Sequence, residues 1–413
     1  MAQSQFDRTP DLLIIGAGVI GLGLALELKR RQPEQSLLVI DKEPALAAHA
    51  SGRNSGVLHA GFYYSADSLK ARLTRDGNRL MTEYCLHNGL PINRCGKLVV
   101  ATSEEDLPAL DELLRRGRAN GVELESVSVE QARRIEPRAR TVERALWSPT
   151  TSSVDPRLVL ARMARDAAES GIQLLTGCAY LGRQGDDVRT SNGLLSPGYV
   201  VNAAGLYADR IARDYGFSRH YTILPFKGLY LYCDDPAQAL GVHVYPVPDL
   251  RQPFLGVHTT QTVDGRSKIG PTAIPAFWRE NYHGLENFSW SEMVSILGLE
   301  ATLFLRNDFG FRQLAWRELK KSSRKQLVGM AGRMIDGLHA PSWNRWGSPG
   351  IRAQLVDTRQ RTLEMDFRYE GDAQSFHVLN AVSPAFTCTF SFARLLADRL
   401  QALRSGAADN RPQ

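Results

Sequence analysis

Leu12-Leu13-Ile14-Ile15-Gly16-Ala17-Gly18-Val19-Ile20-Gly21 is the stretch on which the fold turns. Four consecutive apolar residues mark a short strand buried on both faces, the pattern of a parallel sheet covered by helices. The G-x-G-x-x-G run then opens a helix over residues 19–31, and Leu37-Leu38-Val39-Ile40 supplies a second apolar strand. That is a βαβ unit with the layout of a dinucleotide site. Gly16 permits the tight turn, Gly18 lets backbone approach a pyrophosphate, and Gly21 lets the helix close on the strand. Helix-start N–H groups face the phosphates. Asp41, closing the second strand, accepts from ribose hydroxyls, with Lys42 beside it. A tight turn without ligand is the plain alternative.

Working outward, Val200-Val201-Asn202-Ala203-Ala204-Gly205-Leu206-Tyr207-Ala208-Asp209 reads as another strand, ending against the same cofactor at Gly205, with Asp209 on the next helix. One Rossmann unit completed by distant segments suits a permanently held flavin better than an exchangeable nicotinamide. Helices are expected over residues 67–87, after the capping-box-like Ser103-Glu104-Glu105-Asp106 up to Gly121, and from Asp155-Pro156 to Gly171. Others are expected near 292–306, 311–327 and 394–402, with 405–413 a loose tail. Tyr, Val and Leu alternating among Pro and Gly turns make 221–269 strand-rich. The fold class is therefore α/β with an α+β substrate part: a Rossmann-like FAD-binding domain interleaved with a mixed, mostly antiparallel-sheet substrate domain. The expected division gives residues 1–90, 150–215 and 330–404 to the first and 91–149 and 216–329 to the second.

Composition narrows the class. The chain has 413 residues, enough for two or three domains, with 43% hydrophobic and 23% charged residues, which excludes a disordered or fibrous protein. A net charge of +6 over that length is too weak to argue for nucleic acid. Five cysteines without a C-x-x-C suit a reducing cytoplasm, and neither a disulfide scaffold nor a metal site is expected. The apolar run from Leu12 to Leu26 is short for a membrane span and lacks the basic flank of a signal peptide. Lys320, Lys321, Arg324 and Lys325 form the densest basic cluster. It reads first as a solvated helix end, with a peripheral docking patch for anionic lipid as the alternative.

The first motif, Val200–Asp209 and Gly350-Ile351-Arg352 together resemble the D-amino-acid oxidase superfamily of FAD enzymes. Within it, nearly the whole chain is similar to the L-2-hydroxyglutarate dehydrogenase/oxidase family. The resemblance is carried by Ser51-Gly52-Arg53-Asn54-Ser55-Gly56-Val57-Leu58-His59-Ala60-Gly61-Phe62-Tyr63-Tyr64 and Ser68-Leu69-Lys70-Ala71-Arg72. Further matches are Cys95-Gly96-Lys97-Leu98-Val99-Val100-Ala101-Thr102, Tyr245-Pro246-Val247-Pro248-Asp249, Pro253-Phe254-Leu255-Gly256-Val257-His258, Gly350–Gln354 and Asn380-Ala381-Val382-Ser383-Pro384-Ala385.

The resemblance implies oxidation of L-2-hydroxyglutarate to 2-oxoglutarate by hydride transfer from C2 to flavin N5, with oxygen, a quinone or another carrier as electron acceptor. That chemistry needs a carboxylate anchor and a base for the hydroxyl proton. Arg352 is the expected anchor, because a guanidinium grips a carboxylate through two N–H groups. His59 and His258 are both candidates for the base, since histidine titrates near neutral pH. The small polar loop with Ser51, Arg53, Asn54 and Ser55 offers hydrogen bonds to the pyrophosphate or flavin ring. Ser383-Pro384-Ala385 reads as a helix opener whose N–H groups face the flavin's pyrimidine edge. Tyr63, Lys227 and Tyr245 are further substrate-binding candidates, and the aromatic loop 341–346 precedes the anchor.

The chain departs from the family in Pro225-Phe226-Lys227-Gly228-Leu229-Tyr230, where relatives carry Phe-Arg-Gly-Glu-Tyr. Thr272 stands where Asn is usual, and Phe386, Phe390 and Phe392 make the last segment bulkier. These changes bear on the acid's identity more than on the flavin. An amino-acid or amine oxidase on the same scaffold, or a non-catalytic flavoprotein sensor, are the competing readings.

Overall fold

The computed structural model describes residues 6–250, 255–319, 321 and 323–406. Pro253 and Phe254 of the quoted stretch, Lys320, and residues 407–413 of the expected tail lie outside these. Two compact units result: Met1–Asn54, Pro156–Ile223 and Ala353–Gln413 form the first, and Ser55–Asp155 with Leu224–Arg352 form the second. No helix among the described residues is long and apolar enough to cross a membrane. All five cysteines are free thiols.

In the first unit Leu12–Ile15 is wholly buried because it lies inside a six-stranded sheet. The strand order is Arg368–Gly371, Ser375–Asn380, Val200–Asn202, Leu12–Ile15, Leu37–Ile40 and Gln173–Leu175. All pairs are parallel except the antiparallel edge strand Arg368–Gly371. Leu13 registers with Leu38 on one side and Val200 on the other, so three apolar strands stack with both faces filled. On one face Leu13, Ile15, Leu38 and Ile40 pack with Val188 and Leu195 of the small sheet Tyr180–Gln184, Asp187–Thr190 and Gly193–Leu195. On the other, helix Val19–Arg31 packs against Pro156–Glu169 and the last helix, Thr389–Arg404. Gly23 allows that approach: a Cβ there would stand 2.8 Å from Thr389 Cγ2.

The second unit is built on an eight-stranded sheet ordered Trp343–Trp346, Leu231–Cys233, Ser267–Gly270, His258–Gln261, His243–Pro246, Lys97–Val100, Arg144–Ser148 and Glu125–Ser128. Its one parallel pair joins Lys97–Val100 to His243–Pro246, with Lys97 opposite His243 and Val99 opposite Tyr245. Side chains two apart on a strand share a face. Leu98, Val100 and Val244 therefore enter one core with Val127, Ala145 and Met334. Val99 and Tyr245 enter the other, with Phe62, Tyr63, Leu110 and Leu113. That second face also receives Lys97 and His243.

Helix Leu69–His87 belongs to this unit and is capped by Ser68, whose hydroxyl accepts from Ala71 N at 3.1 Å. The expected capping at Ser103 is present: Thr102 N and Ser103 N donate to Asp106 Oδ2 at 2.7 and 3.2 Å before helix Leu107–Ala119.

Three expectations are corrected. The helix foreseen over 311–327 is two, Phe311–Leu319 and Arg324–Ala331, because Ser323 starts a new N-terminus by accepting from Gln326 N at 3.3 Å. Ser383-Pro384 does not open the last helix. Ala385 N bonds Val382 O at 3.0 Å and Thr389 N bonds Phe386 O at 3.3 Å, so the chain makes successive turns and the helix begins at Thr389. Lys321 is not part of an exposed basic cluster: it is 5% exposed and ion-paired to buried Glu318.

Candidate active site

The first unit holds a cradle formed by backbone. At Gly16 the backbone is left-handed (φ +108°), and a Cβ would stand 2.5 Å from Ala203 O, so the turn closes against the end of the neighbouring strand. At Gly21 a Cβ would lie 1.9 Å from Gly16 O. No acidic side chain stands in the first turn of helix Val19–Arg31, whose leading N–H groups have no acceptor within the helix. Ser51 reaches in from the following loop, its Oγ accepting from Val19 N at 3.0 Å. Asp41 Oδ2 accepts from Ala17 N at 2.9 Å and Oδ1 from Glu43 N at 2.9 Å. A carboxylate oxygen has two lone pairs, so each keeps capacity for a ribose hydroxyl. The donors and the side-chain-free floor at Gly16, Gly18 and Gly21 fit the phosphates and ribose of FAD.

Other predicted cofactor residues brace this cradle. Arg53 Nε donates to Ala48 O at 2.5 Å, and Asn54 Nδ2 donates to Ala50 O and Ser51 O at 3.1 and 2.9 Å, which fixes the loop. Lys42 is ion-paired to Glu43 and lies 5.6 Å from the Tyr207 ring centroid. Gly205 adopts φ +54° with open space where its Cβ would be. Ser383, Pro384 and Ala385 belong to the turns ahead of the last helix, so their expected role as a helix N-terminus is withdrawn.

The second unit brings His258, Tyr245, Tyr63 and His59 together around a lysine. Val244 pairs with Thr259 in an antiparallel ladder, which puts Tyr245 across from His258. Their rings stack with centroids 3.7 Å apart and planes at 17°. His258 is buried, and its Nδ1 lies 2.9 Å from Gly256 O. A carbonyl only accepts, so Nδ1 carries the proton and Nε2 of the neutral ring is left as the acceptor. Burial holds His258 well below the ordinary histidine range. His59 is held down to about 3, by burial first and then by the charge of Lys97. Asn78 fixes the His59 backbone, its Nδ2 donating to Leu58 O and His59 O at 3.0 and 3.2 Å.

Lys97 is fully buried, and its Nζ has no hydrogen-bond acceptor among the described residues. The ammonium instead sits 4.7, 4.6 and 4.8 Å from the ring centroids of Phe62, Tyr63 and Tyr245, a cage worth about 0.5–2 kcal/mol per ring. Burial pushes it down to about 7. Lys268, also buried, donates to Ser55 O at 2.8 Å and lies 4.6 Å from the Tyr230 ring, and burial pushes it down to about 8. Tyr63 is buried with its hydroxyl unpartnered among the described residues, and burial pushes that phenol well above its usual range.

Arg352 is half-buried on strand Gly350–Asp357, and burial pushes it down to about 10. Lys227 is half-buried on Tyr221–Gly228 opposite Ile274, and burial lowers it. Trp343 of the aromatic loop is wholly buried core, whereas Trp346 is exposed.

No sequence motif points to a role for Lys97, Lys268 or His243. A lysine heading the apolar run Lys97-Leu98-Val99-Val100 is the one signal available, since a charge on a fully buried strand needs a reason. His243 is structural: its Nδ1 accepts from Gln261 N at 3.0 Å and its Nε2 lies 3.3 Å from Ser153 Oγ.

Comparison with known proteins agrees with this arrangement. The family described as DAO, FAD dependent oxidoreductase, matches residues 11–399. The mitochondrial L-2-hydroxyglutarate dehydrogenase of Bos taurus is 36% identical over 95% of this chain and 88% of that protein. The L-2-hydroxyglutarate dehydrogenase of Escherichia coli K12 is 32% identical over 95% and 93%, and that of Indibacter alkaliphilus 34% over 92% and 96%. Among solved structures, the dithionite-reduced L-α-glycerophosphate oxidase of Mycoplasma pneumoniae with FAD bound superposes with a TM-score of 0.75 at 22% identity, covering 98% of this chain and 97% of that one. Glycine oxidase of Bacillus cereus gives 0.69 at 17% identity, covering 97% and 96%, so these two speak for the fold. The chain belongs to the FAD dependent oxidoreductase family and, within it, is a relative of the L-2-hydroxyglutarate dehydrogenases along nearly its whole length.

Proposed function

We propose that the protein oxidises the CH–OH group of L-2-hydroxyglutarate to give 2-oxoglutarate. The observation that carries this reading is the end-to-end similarity to dehydrogenases of that name, at 32–36% identity, in animals and bacteria. Gly16, Gly18, Gly21, Asp41 and Ser51 would hold FAD, which would supply the two-electron acceptor for the C2 hydride.

The chain's own residues do the rest. Arg352 binds the C1 carboxylate, and Lys227 and the phenols of Tyr63 and Tyr245 belong to the acid's surroundings. The hydroxyl proton goes to Nε2 of His258, because the Gly256 carbonyl holds the proton on Nδ1 and burial keeps the ring neutral. Stacking on Tyr245 fixes the ring plane, so the acceptor lone pair is oriented before substrate arrives. Lys97 adds a positive charge beside the histidines, which disfavours the imidazolium at rest and favours transfer of that proton onward after turnover. Oxygen, a quinone or another carrier would be the electron acceptor that completes the turnover.

The test is anaerobic mixing of the yellow, flavin-loaded protein with paired 2-hydroxy and 2-amino acids. L-2-Hydroxyglutarate is expected to bleach the flavin within the turnover time. Bleaching by amino acids alone would make the protein an amine oxidase, and bleaching by none would make it a non-catalytic flavoprotein.

A further inference from the structure

After the short strand Val57–Leu58, the backbone runs through the interior of the second unit as far as Tyr64 without a strand or helix of its own. Residues 57–63 are all buried. Carbonyls in such a segment need donors from elsewhere, because water does not reach them. Here side chains supply the donors. Asn78 Nδ2 donates to Leu58 O and His59 O at 3.0 and 3.2 Å, and to Thr150 O at 3.2 Å. Asn120 Nδ2 donates to Gly61 O and Tyr64 O, both at 3.0 Å. Arg116 Nη1 donates to Tyr63 O at 2.9 Å. Asn78 stands on helix Leu69–His87, and Arg116 and Asn120 on helix Leu107–Ala119 and its C-cap. Both helices also press on the segment: a Cβ at Gly61 would stand 3.2 Å from Thr74 Cβ, and one at Gly117 would stand 3.3 Å from Phe62 Cβ.

Asn120 shows that the clamp serves more than stability. It is buried, its amide hydrogens go to the segment, and its own Oδ1 has no hydrogen-bond partner among the described residues. Both partners are carbonyls, so the nitrogen and not the oxygen faces them. A buried acceptor left unpaired is destabilising, so this carboxamide is kept for what it holds.

The segment carries chemistry. His59, Phe62 and Tyr63 hang from it, and the two rings stand 4.7 and 4.6 Å from Lys97 Nζ. Tyr245 and His258 are held separately, by backbone ladders of the eight-stranded sheet, and Arg352 lies on strand Gly350–Asp357. Moving the segment would shift His59 and Tyr63 against a stationary base and anchor.

We propose that Asn120, together with Asn78 and Arg116, is a positioning residue for the oxidation: its carboxamide sets where the segment from Leu58 to Tyr64 presents His59 and Tyr63 to the acid. The inference rests on the reaction proposed above and adds the residues that fix its geometry.

The experiment uses full-length, flavin-loaded protein and the variant Asn120→Asp, which keeps the side chain's shape and removes both donors. Its kcat should fall about 10- to 100-fold, the loss that a displacement of about one ångström brings, while KM stays within about threefold because Arg352 is untouched. Arg116→Met, at a half-buried helix position, frees Tyr63 O alone and should lower kcat about threefold or more. Val127→Ala, in the other core of the same sheet, should lower the melting temperature and leave kcat unchanged, which separates positioning from lost stability. Deuterium uptake by peptides covering residues 58–64 should rise in Asn120→Asp and stay at the wild-type level in Val127→Ala, a readout that needs no turnover. Wild-type turnover with each acid reads the proposed function, and the ratio of variant to wild type with the acid that reacts reads this inference. Wild-type kcat in folded Asn120→Asp and Arg116→Met overturns the proposal. So does a rise in KM with kcat unchanged, or a loss of kcat in Val127→Ala as large as in Asn120→Asp.

Discussion

Arg352 remains charged throughout the neutral range even though burial lowers it to about 10. A planar fork gives a carboxylate two parallel N–H groups, and an ammonium gives it one point charge. Arg352→Lys should therefore raise KM for the acid about tenfold or more with a smaller change in kcat; steady-state kinetics with unchanged saturation would put the anchor elsewhere. His258→Asn should lower kcat by about 10²–10⁴ with flavin still bound, and His59→Asn should do less. The reverse ranking would give the base role to His59. Because both rings are held below the ordinary 6.5, the acid limb of the kcat/KM profile should lie below that value. His59 and His258 stood out in the sequence only as candidates by residue chemistry, and the tight turn at Gly16 and the place of Asp41 after the second strand were legible there from motif spacing. The Lys97 cage was not, since its three rings come from residues 62, 63 and 245 and meet only through the parallel strand pair.

The turn from Leu12–Ile15 into helix Val19–Arg31 leaves no room for a side chain at Gly16. A Cβ at Gly18 would come within 2.8 Å of Ser51 Oγ, the group that caps Val19 N. Gly18→Val should therefore yield folded protein that has lost its yellow colour, as read by absorbance near the flavin bands together with circular dichroism. Full flavin occupancy in that variant would move the pyrophosphate elsewhere. Strands buried on both faces announce themselves by unbroken apolar runs, so this element was readable in advance. The break between Phe311–Leu319 and Arg324–Ala331 had a local signal too, a serine three residues ahead of a glutamine, but the continuing apolar rhythm masked it. Ser383-Pro384 misleads for the opposite reason: it has the local form of a helix start, while the chain around it is turned by bonds between near neighbours.

Buried titratable groups make the stability of the whole molecule depend on pH in two windows. His59, His243 and His377 are each held near 3 against 6.5 when unfolded, with burial as the main cause. Between those values the unfolded chain binds more protons, so their contribution is complete above 6.5 and is lost as pH falls towards 3. Lys97 repeats the argument between about 7 and 10.5, and Lys268 between about 8 and 10.5. Denaturant midpoints should climb with pH in both windows, and Lys97→Met should flatten the upper one; an unaltered upper slope would mean that the ammonium is solvated. That the chain alternates between two units was legible from a βαβ motif at the front and strands in the middle, but the position of each crossing depends on long-range pairing.

The sheet of the first unit sets when this protein becomes itself during synthesis. Leu12–Ile15 bonds to Val200–Asn202, which bonds in turn to Ser375–Asn380, and helix Val19–Arg31 rests on Thr389–Arg404. A nascent chain thus leaves the ribosome with its nucleotide motif already made and no sheet to hold it. Flavin capture must wait until Ser375–Asn380 and Thr389–Arg404 have emerged, and a chain stopped ahead of them should yield a colourless polypeptide.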